Sequence, residues 1–409
     1  MEENALEDII KATQSLNDLV MNTEPDLDEI VEDNNDEINL EVNYPYIIFY
    51  RSDLVRAMNL CNKIVQPKSN TTTYNSISLV PVPFDKCIWF YATNELSHFR
   101  YRAELLGDMK ETWDFPISIP LTILQKLVKL MGNKVLLYKK EENLYIRLLD
   151  GDLLLDLRQA DMTILTFPGD VSDKDKIAEL KINTIGSVVN NILPLLQAEI
   201  RGEAKRISFT GDKAYYNSSF YYIETSIKTP RMTLSLRDAD FINKLFKYYK
   251  NDEIQIFSVK SNLSRLFLKI NNIEYEFINS INSISDIITQ QMNNIVKEPE
   301  VMVSYDRLYR TVTLATTLPY STGDVILKYN KDKLQTSIIS NRGNSDFSFT
   351  TELLTENKLY DKEVLVRAET LRRLLTSFNE ADKLSIALAD LGITLEYKNI
   401  KAIMMHTNI

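Results

Sequence analysis

"PLTILQKLVKLMGNKV", Pro120 to Val135, reads as an amphipathic helix with an unusual polar side. Leu121, Ile123, Leu124, Leu127, Val128, Leu130 and Met131 make one apolar face. Thr122, Gln125, Lys126, Lys129 and Asn133 fall at helical spacing on a solvent stripe. Such a stripe usually mixes signs, because Glu–Lys pairs four residues apart add a little stability. Here lysines occur without acids, in a chain of 409 residues with 57 acidic and 47 basic side chains.

The pattern recurs. "RDADFINKLFKYYKND" (237–252) sets Asn243, Lys244, Lys247 and Lys250 opposite Phe241, Ile242, Leu245 and Phe246. "RAETLRRLLTSFNEAD" (367–382) sets Arg372, Arg373 and Thr376 opposite Leu371, Leu374, Leu375 and Phe378. The acids within these two helices, Asp238, Asp240 and Glu369, fall largely in the first turn, where they suit the positive end of the helix dipole. A short strand-like run precedes each helix ("FPISIP", "MTLSL", "EVLVR") and three follow, as in "KVLLYKK", "LYIRLL" and "DLLLDL". Turns of Gly, Asn and Asp separate them, as paired strands require.

Fainter copies fill the gaps. "YIIFY" leads to "SDLVRAMNLCNKIV", "AELKIN" to "TIGSVVNNILPLLQAEI" and "EVMVSY" to "DRLYRTVTLATTL". The sequence therefore predicts six strand–helix–strand–strand–strand units in three pairs. That is an α+β chain with domains at 43–172, 173–296 and 297–409, a domain-sized repeat rather than a solenoid. Pro194 predicts a kink or an early end in the helix that begins near residue 183.

Counting by segment separates charges that the whole-chain value of −10 averages away. Six helix windows (51–64, 120–134, 183–206, 237–250, 304–320, 367–378) hold 18 Lys and Arg against 7 Asp and Glu, a surplus of 11 positive charges. Residues 1–42 hold 14 acids and one base, Lys11, and the remainder sums to −8. A basic set of helices is thus compatible with a pI near 5.1.

Other classes are disfavoured. Two cysteines, Cys61 and Cys87, and no secretory core point to a reducing cytoplasmic compartment. Apolar runs are strand-length, so no membrane span is expected. With ten glycines there is no phosphate loop, and two histidines, His98 and His406, offer no compact metal set. No nucleophile–base or paired-carboxylate motif stands out, so the reading is a non-enzyme without cofactor or metal.

Three doubled units, each half with one basic-faced helix, resemble the bacterial-type DNA polymerase sliding clamp (beta clamp). The resemblance covers about residues 44–409. It is supported by "TILTFPGD" (163–170), similar to a strand and Phe-Pro turn closing the family's first domain, and by the ending "AIMMHTNI". It implies a head-to-tail homodimeric ring, sheets outside and helices inside. Such a ring encircles double-stranded DNA without reading sequence and acts as a processivity factor in DNA replication. The residues then expected to line the hole are Arg56, Lys63, Lys126, Lys129, Lys134, Arg201, Lys205, Lys244, Lys247, Lys250, Arg310, Arg372 and Arg373. Lys68, in "QPKSNTTT", stands where the family has a DNA-contacting loop.

The resemblance also implies a pocket for short peptides of a polymerase and a clamp loader. One wall falls on Ile403, Met404, Met405 and His406, the other on Phe220, Tyr221 and Tyr222. The family's Asp-Gly-His-Arg-Leu-like run is replaced there by aromatics, consistent with a divergent or phage-encoded version. Residues 1–42 lie outside the resemblance and read as an acidic, largely disordered tail with a short amphipathic helix at "ALEDIIKATQSLNDLV". Two alternatives stay open: a clamp-fold factor serving transcription or repair, and a non-sliding interaction scaffold.

Overall fold

A computed structural model describes residues 44–106, 116–141, 143–149, 151–155, 158–159, 175–198, 205–218, 221–259, 264–279, 301–317, 321–330, 333–340, 347–354, 362–390 and 392–406. The acidic tail, "TILTFPGD", Arg201 and Phe220 lie outside these residues.

All six units are present. The first is β1 (Tyr46–Tyr50), α1 (Arg51–Cys61), β2 (Ser76–Val82), β3 (Cys87–Thr93) and β4 (Ser97–Glu104). The second is β5 (Ile117–Pro120), α2 (Leu121–Leu127, extended by a 3-10 turn to Leu130), β6 (Lys134–Lys140), β7 (Asn143–Leu148) and β8 (Gly151–Leu155), with a short β9 (Arg158–Gln159). The third is β10 (Lys176–Lys181), α3 (Ile182–Ala198), β11 (Arg206–Phe209), β12 (Lys213–Asn217) and β13 (Tyr221–Ser226). The fourth is β14 (Met232–Ser235), α4 (Leu236–Tyr248), β15 (Glu253–Val259), β16 (Arg265–Ile270) and β17 (Ile273–Ile278). The fifth is β18 (Val301–Ser304), α5 (Tyr305–Thr317), β19 (Ser321–Asn330), β20 (Lys333–Ser340) and β21 (Phe347–Glu352). The sixth is β22 (Glu363–Arg367), α6 (Ala368–Thr376), β23 (Lys383–Ala389), β24 (Gly392–Tyr397) and β25 (Ile400–Met405).

The pairing shows what a linear pattern does not. The lead strand of each unit joins the sheet of its companion unit: β1 pairs with β6 and β5 with β2, β10 with β15 and β14 with β11, β18 with β23 and β22 with β19, all antiparallel. Each helix therefore crosses from one sheet to the other and covers the face between them. Local chemistry sets the starts and turns. Ser235 and Asp238 form a reciprocal capping box on α4. Asn271 and Lys398 take left-handed backbone (both φ 51°) in the two-residue turns before β17 and β25. Pro194 neither ends nor shortens α3, which runs on to Ala198.

Fourth strands join the repeats. β4 pairs with β17, and β13 with β25, giving continuous sheets of nine and eight strands, while two four-stranded sheets end at β8 and β21. One continuous apolar core runs through all three repeats, from Ile47 to Met404. Beneath the sheets α3 lies along α4 and α5 along α6. Across the seams α1 touches α4 and α3 touches α6. No described helix is long and apolar enough to cross a membrane.

Candidate nucleic-acid interface and peptide groove

The helix row buries most of its apolar faces, but Ile123 (45% exposed) and Leu130 (50%) of α2 stay in solvent and Asn243 of α4, expected on the polar stripe, is buried (8%). Within the observed helix bounds, including the 3-10 turn after α2, the surplus is 6 positive charges. α3 has no charged residue along its whole length, so its basic residues, Lys205 and Arg206 among them, fall beyond it. Lys63 lies in the turn after α1, Lys134 opens β6 and Lys250 follows α4.

The predicted lining residues divide by environment. Lys63, Lys68, Lys126, Lys129, Lys134, Lys247 and Lys250 are exposed, and no ion pair of theirs with a described residue occurs. Lys250 also covers the ring of Phe246, its Nζ 5.8 Å from the centroid. Lys205 is half-buried. Arg310 is exposed and pairs with Asp306 along α5 (2.9 Å). Arg372 and Arg373 both pair with Glu369 (2.8 Å each); Arg372 first, then Arg373, hold its carboxyl below the usual glutamate range. Surface pairs of this kind are weak and exchangeable, so these arginines keep a long-range field but cost something to redirect. Arg307, which sequence reading did not single out, is equally exposed on α5 beside Glu352 (3.6 Å).

Two expected lining residues are engaged elsewhere. Lys244 is only 14% exposed; its Nζ donates to the Asn59 carbonyl (2.8 Å) and to Asn62 Oδ1 and pairs with Asp240 (3.2 Å). It ties α4 to the end of α1. Arg56 is half-buried and donates from Nη1 to the Tyr101 hydroxyl (3.4 Å), which itself donates to Asp53. Both positions satisfy the helical stripe in sequence, yet the fold supplies partners that a single helix cannot reveal: a strand of its own unit for Arg56 and the end of α1 in the neighbouring repeat for Lys244.

The described residues of the expected peptide walls meet at the β13–β25 seam, where Tyr221 pairs with Met404 and Tyr222 with Ile403. Directly opposed residues share a face, so the set splits in two. Tyr221 (5% exposed) and Met404 (1%) face the core, and the Tyr221 hydroxyl donates to the Leu195 carbonyl of α3 (3.4 Å). Tyr222 and Ile403 take the outer face; the Tyr222 ring stacks on Tyr215 (centroids 6.1 Å) and its hydroxyl donates to Glu224 Oε2 (2.8 Å). Burial first, then the Glu224 charge, raises the Tyr222 phenol. Met405 and His406 are half-buried at the seam's end. A groove here would rest on Tyr222, Met405 and His406 with buried Ile403 beneath, and Tyr221 and Met404 would act only from within. Among the described residues no cluster of His, Cys, Asp or Glu could hold a metal.

No protein-family profile matches the chain. No curated protein sequence matches it either. Solved structures do. A DNA polymerase III beta subunit from Thermotoga maritima superposes with TM-score 0.72 at 13% identity, over 89% of this chain and 99% of that one. A sliding clamp from Bartonella birtlesii bound to griselimycin gives 0.73 at 10% identity, over 90% and 100%. A Helicobacter pylori beta clamp bound to a DNA ligase peptide gives 0.70 at 12%, over 89% and 100%. The chain has the fold of these beta clamps, with little of their sequence.

Proposed function

We propose that this protein is a DNA sliding clamp: two copies close head to tail into a ring around duplex DNA and tether a polymerase during replication. The observation that carries this reading is the seam rule. The fourth strand of the first unit pairs with that of the fourth unit, and the third unit's with the sixth unit's. By the same rule the fifth unit's β21 awaits a second unit's β8, which only another copy can supply. Among the described residues each strand ends its sheet, and Leu153 (38% exposed) and Leu154 (52%) are exposed on β8 with Leu149 (68%) just before it. An open apolar edge invites strand pairing. Three repeats per chain, with boundaries proposed at 172/173 and 296/297, make a six-repeat ring.

The helix row supports the nucleic-acid side of the proposal. Solvent-facing lysines with few acids neutralise phosphates without reading bases, which permits sliding. The outer groove of Tyr222, Met405 and His406 is proposed for short partner peptides, of the kind that the H. pylori clamp holds. No step of this function needs a catalytic residue. Sedimentation at micromolar concentration together with particle images tests it: a dimer forming a ring with a central hole is expected, and a trimer or a persistent monomer would refute ring closure.

A further inference from the structure

The two seams within one chain are built on the same plan, so each is a reference for the other. Arg51 and Ile182 both open a helix and both donate their backbone N–H to the residue before a companion strand, Asn133 (2.9 Å) and Asp252 (2.9 Å). Counting five residues on, Ser187 of α3 stands where Arg56 stands on α1. Tyr101 pairs with Ile273, and Thr225 with Ile400, each isoleucine being the first residue after a two-residue turn. Thr225 therefore occupies the place of Tyr101.

In the first seam that space is full. The Tyr101 ring is 1% exposed, and its hydroxyl lies between Asp53 and the Arg56 guanidinium. In the second seam Thr225 and Ser187 leave it open, and a cavity of about 150 Å³ lies there. Val188, Ile192, Ile223 and Phe378 supply apolar walls, while Asn191 and Asn379 add polar groups. The lining is mixed, since Glu380, Tyr397 and Lys398 also border it, and a space of ~150 Å³ is the size that admits one benzene-sized ring. The cavity sits at the Thr225–Ile400 end of the seam, four residues from the Tyr221–Met404 end that carries the proposed peptide groove. Ile223 of the cavity adjoins Tyr222 of the groove along β13, but Ile223 and Thr225 face inward and Tyr222 outward, so the two lie on opposite faces of the seam.

We propose that this cavity is a binding site for a single phenol-type ring, which takes in the second seam the position that the chain's own Tyr101 takes in the first. The proposal rests on the internal repeat and the cavity, and holds whether or not the ring closes on DNA. The phenol has two natural sources, a tyrosine side chain presented by a partner protein and a free small phenol.

The test uses the full chain with p-cresol and N-acetyl-L-tyrosinamide as probes, followed by saturation-transfer NMR and titration calorimetry. Saturable binding of both probes assigns the site to a partner's tyrosine; binding of p-cresol alone assigns it to a free phenol. In Thr225→Tyr, which fills the cavity as Tyr101 fills its counterpart, affinity should fall at least tenfold with the thermal midpoint unchanged or higher. Should that variant not fold, Ser187→Leu, at a half-buried helix position, must show the same loss. Failure of both probes to bind, or wild-type affinity in a folded filled variant, would overturn the proposal.

Discussion

Asn272 clasps Arg102 across the seam between the first two repeats. Its side-chain Nδ2 donates to the Arg102 carbonyl (2.6 Å), and its own carbonyl accepts the Arg102 N–H (2.9 Å). Asn399 repeats the arrangement with Ser226 at the second seam, at 3.1 and 3.2 Å. Each asparagine follows a left-handed residue, so the same turn chemistry both reverses the strand and locks it to the next repeat. Asn272→Ala and Asn399→Ala should each cost about 1 kcal/mol, the net worth of one hydrogen bond, and the effects should add because the sites share no partner. Urea unfolding of the single and double variants checks this; a double variant no weaker than either single one would deny the clasp an independent role.

Gly186 is where α3 meets α4. A Cβ at that position would land on the Cβ and ring of Phe246. Gly186→Ala should therefore lose about 1–2 kcal/mol, since overpacking at the upper part of 1–3 kcal/mol exceeds the helix-propensity gain of up to ~1 kcal/mol. Gly132→Ala, where a Cβ meets only Leu149 Cδ2 at 3.7 Å, is the control and should be close to neutral. Equal denaturation midpoints for the two variants would contradict the close approach.

Much of this architecture was legible because helix stripes and turn residues are local signals. Lys126 and Lys129 appear on the stripe where the spacing places them, and the turn asparagines fall where strands reverse. The exchange of lead strands was not legible, because apolar runs such as "YIIFY" and "FPISIP" fit either sheet equally well. Nor were the site's exceptions: Lys244 satisfies the stripe but finds partners in another unit, and Arg56 finds its partner on β4 of its own unit. Tyr221 and Met404 lie on the inner face of strands whose alternation alone does not say which face is which. Ser187 and Thr225 matter through the side chains they lack; a position-by-position comparison of the repeats is the only sequence signal that finds them.

His98 makes stability depend on acid. It lies on β4 opposite Glu276, with Nδ1 2.9 Å from Thr93 Oγ1. Burial, and next the Arg265 guanidinium, lower it from 6.5 to about 4. Between those values the unfolded chain binds the proton more readily, so the contribution of His98 is complete above pH 6.5 and is lost as pH falls towards 4. Glu276, raised by burial against the pull of Arg265, acts in the opposite sense as acid is added. From pH 7 to pH 5 the protein should lose on the order of 1–2 kcal/mol that His98→Gln does not lose. Parallel pH profiles of the two proteins at constant ionic strength would exclude this role.

Met404 and Met405 are adjacent yet separable. Met404 is 1% exposed in the core, so Met404→Ala should destabilise the fold by about 2–5 kcal/mol. Met405 is half-buried at the outer end of the seam, so Met405→Ala should leave the fold nearly intact. If the outer groove takes partner peptides, Met405→Ala should weaken a polymerase-derived peptide by about 1–2 kcal/mol, and calorimetry on the folded variant reads it directly. Unchanged peptide affinity would move the groove elsewhere.

Retention on DNA should depend on topology more than on affinity. The exposed lysines are spread over several helices and their ends, and α3 adds no charge, so each phosphate contact is weak and solvated. Direct binding to a short open duplex should be poor and fall steeply with salt. Once loaded on a closed circle, the protein should survive salt that removes open-duplex binding and should leave when the circle is cut. Lys126→Glu, Lys129→Glu and Lys247→Glu together should impair loading and sliding with unchanged unfolding curves, because all three are exposed. Lys244→Ala should do the reverse, weakening the contact between α1 and α4 and lowering stability while open-duplex affinity hardly changes. Removing residues 1–42 should raise open-duplex affinity if that acidic segment competes with DNA, and leave it unchanged if it only solvates. Tight, salt-resistant and sequence-selective binding to a linear oligonucleotide would rule out a sliding clamp, since a protein that holds particular bases cannot also travel along them.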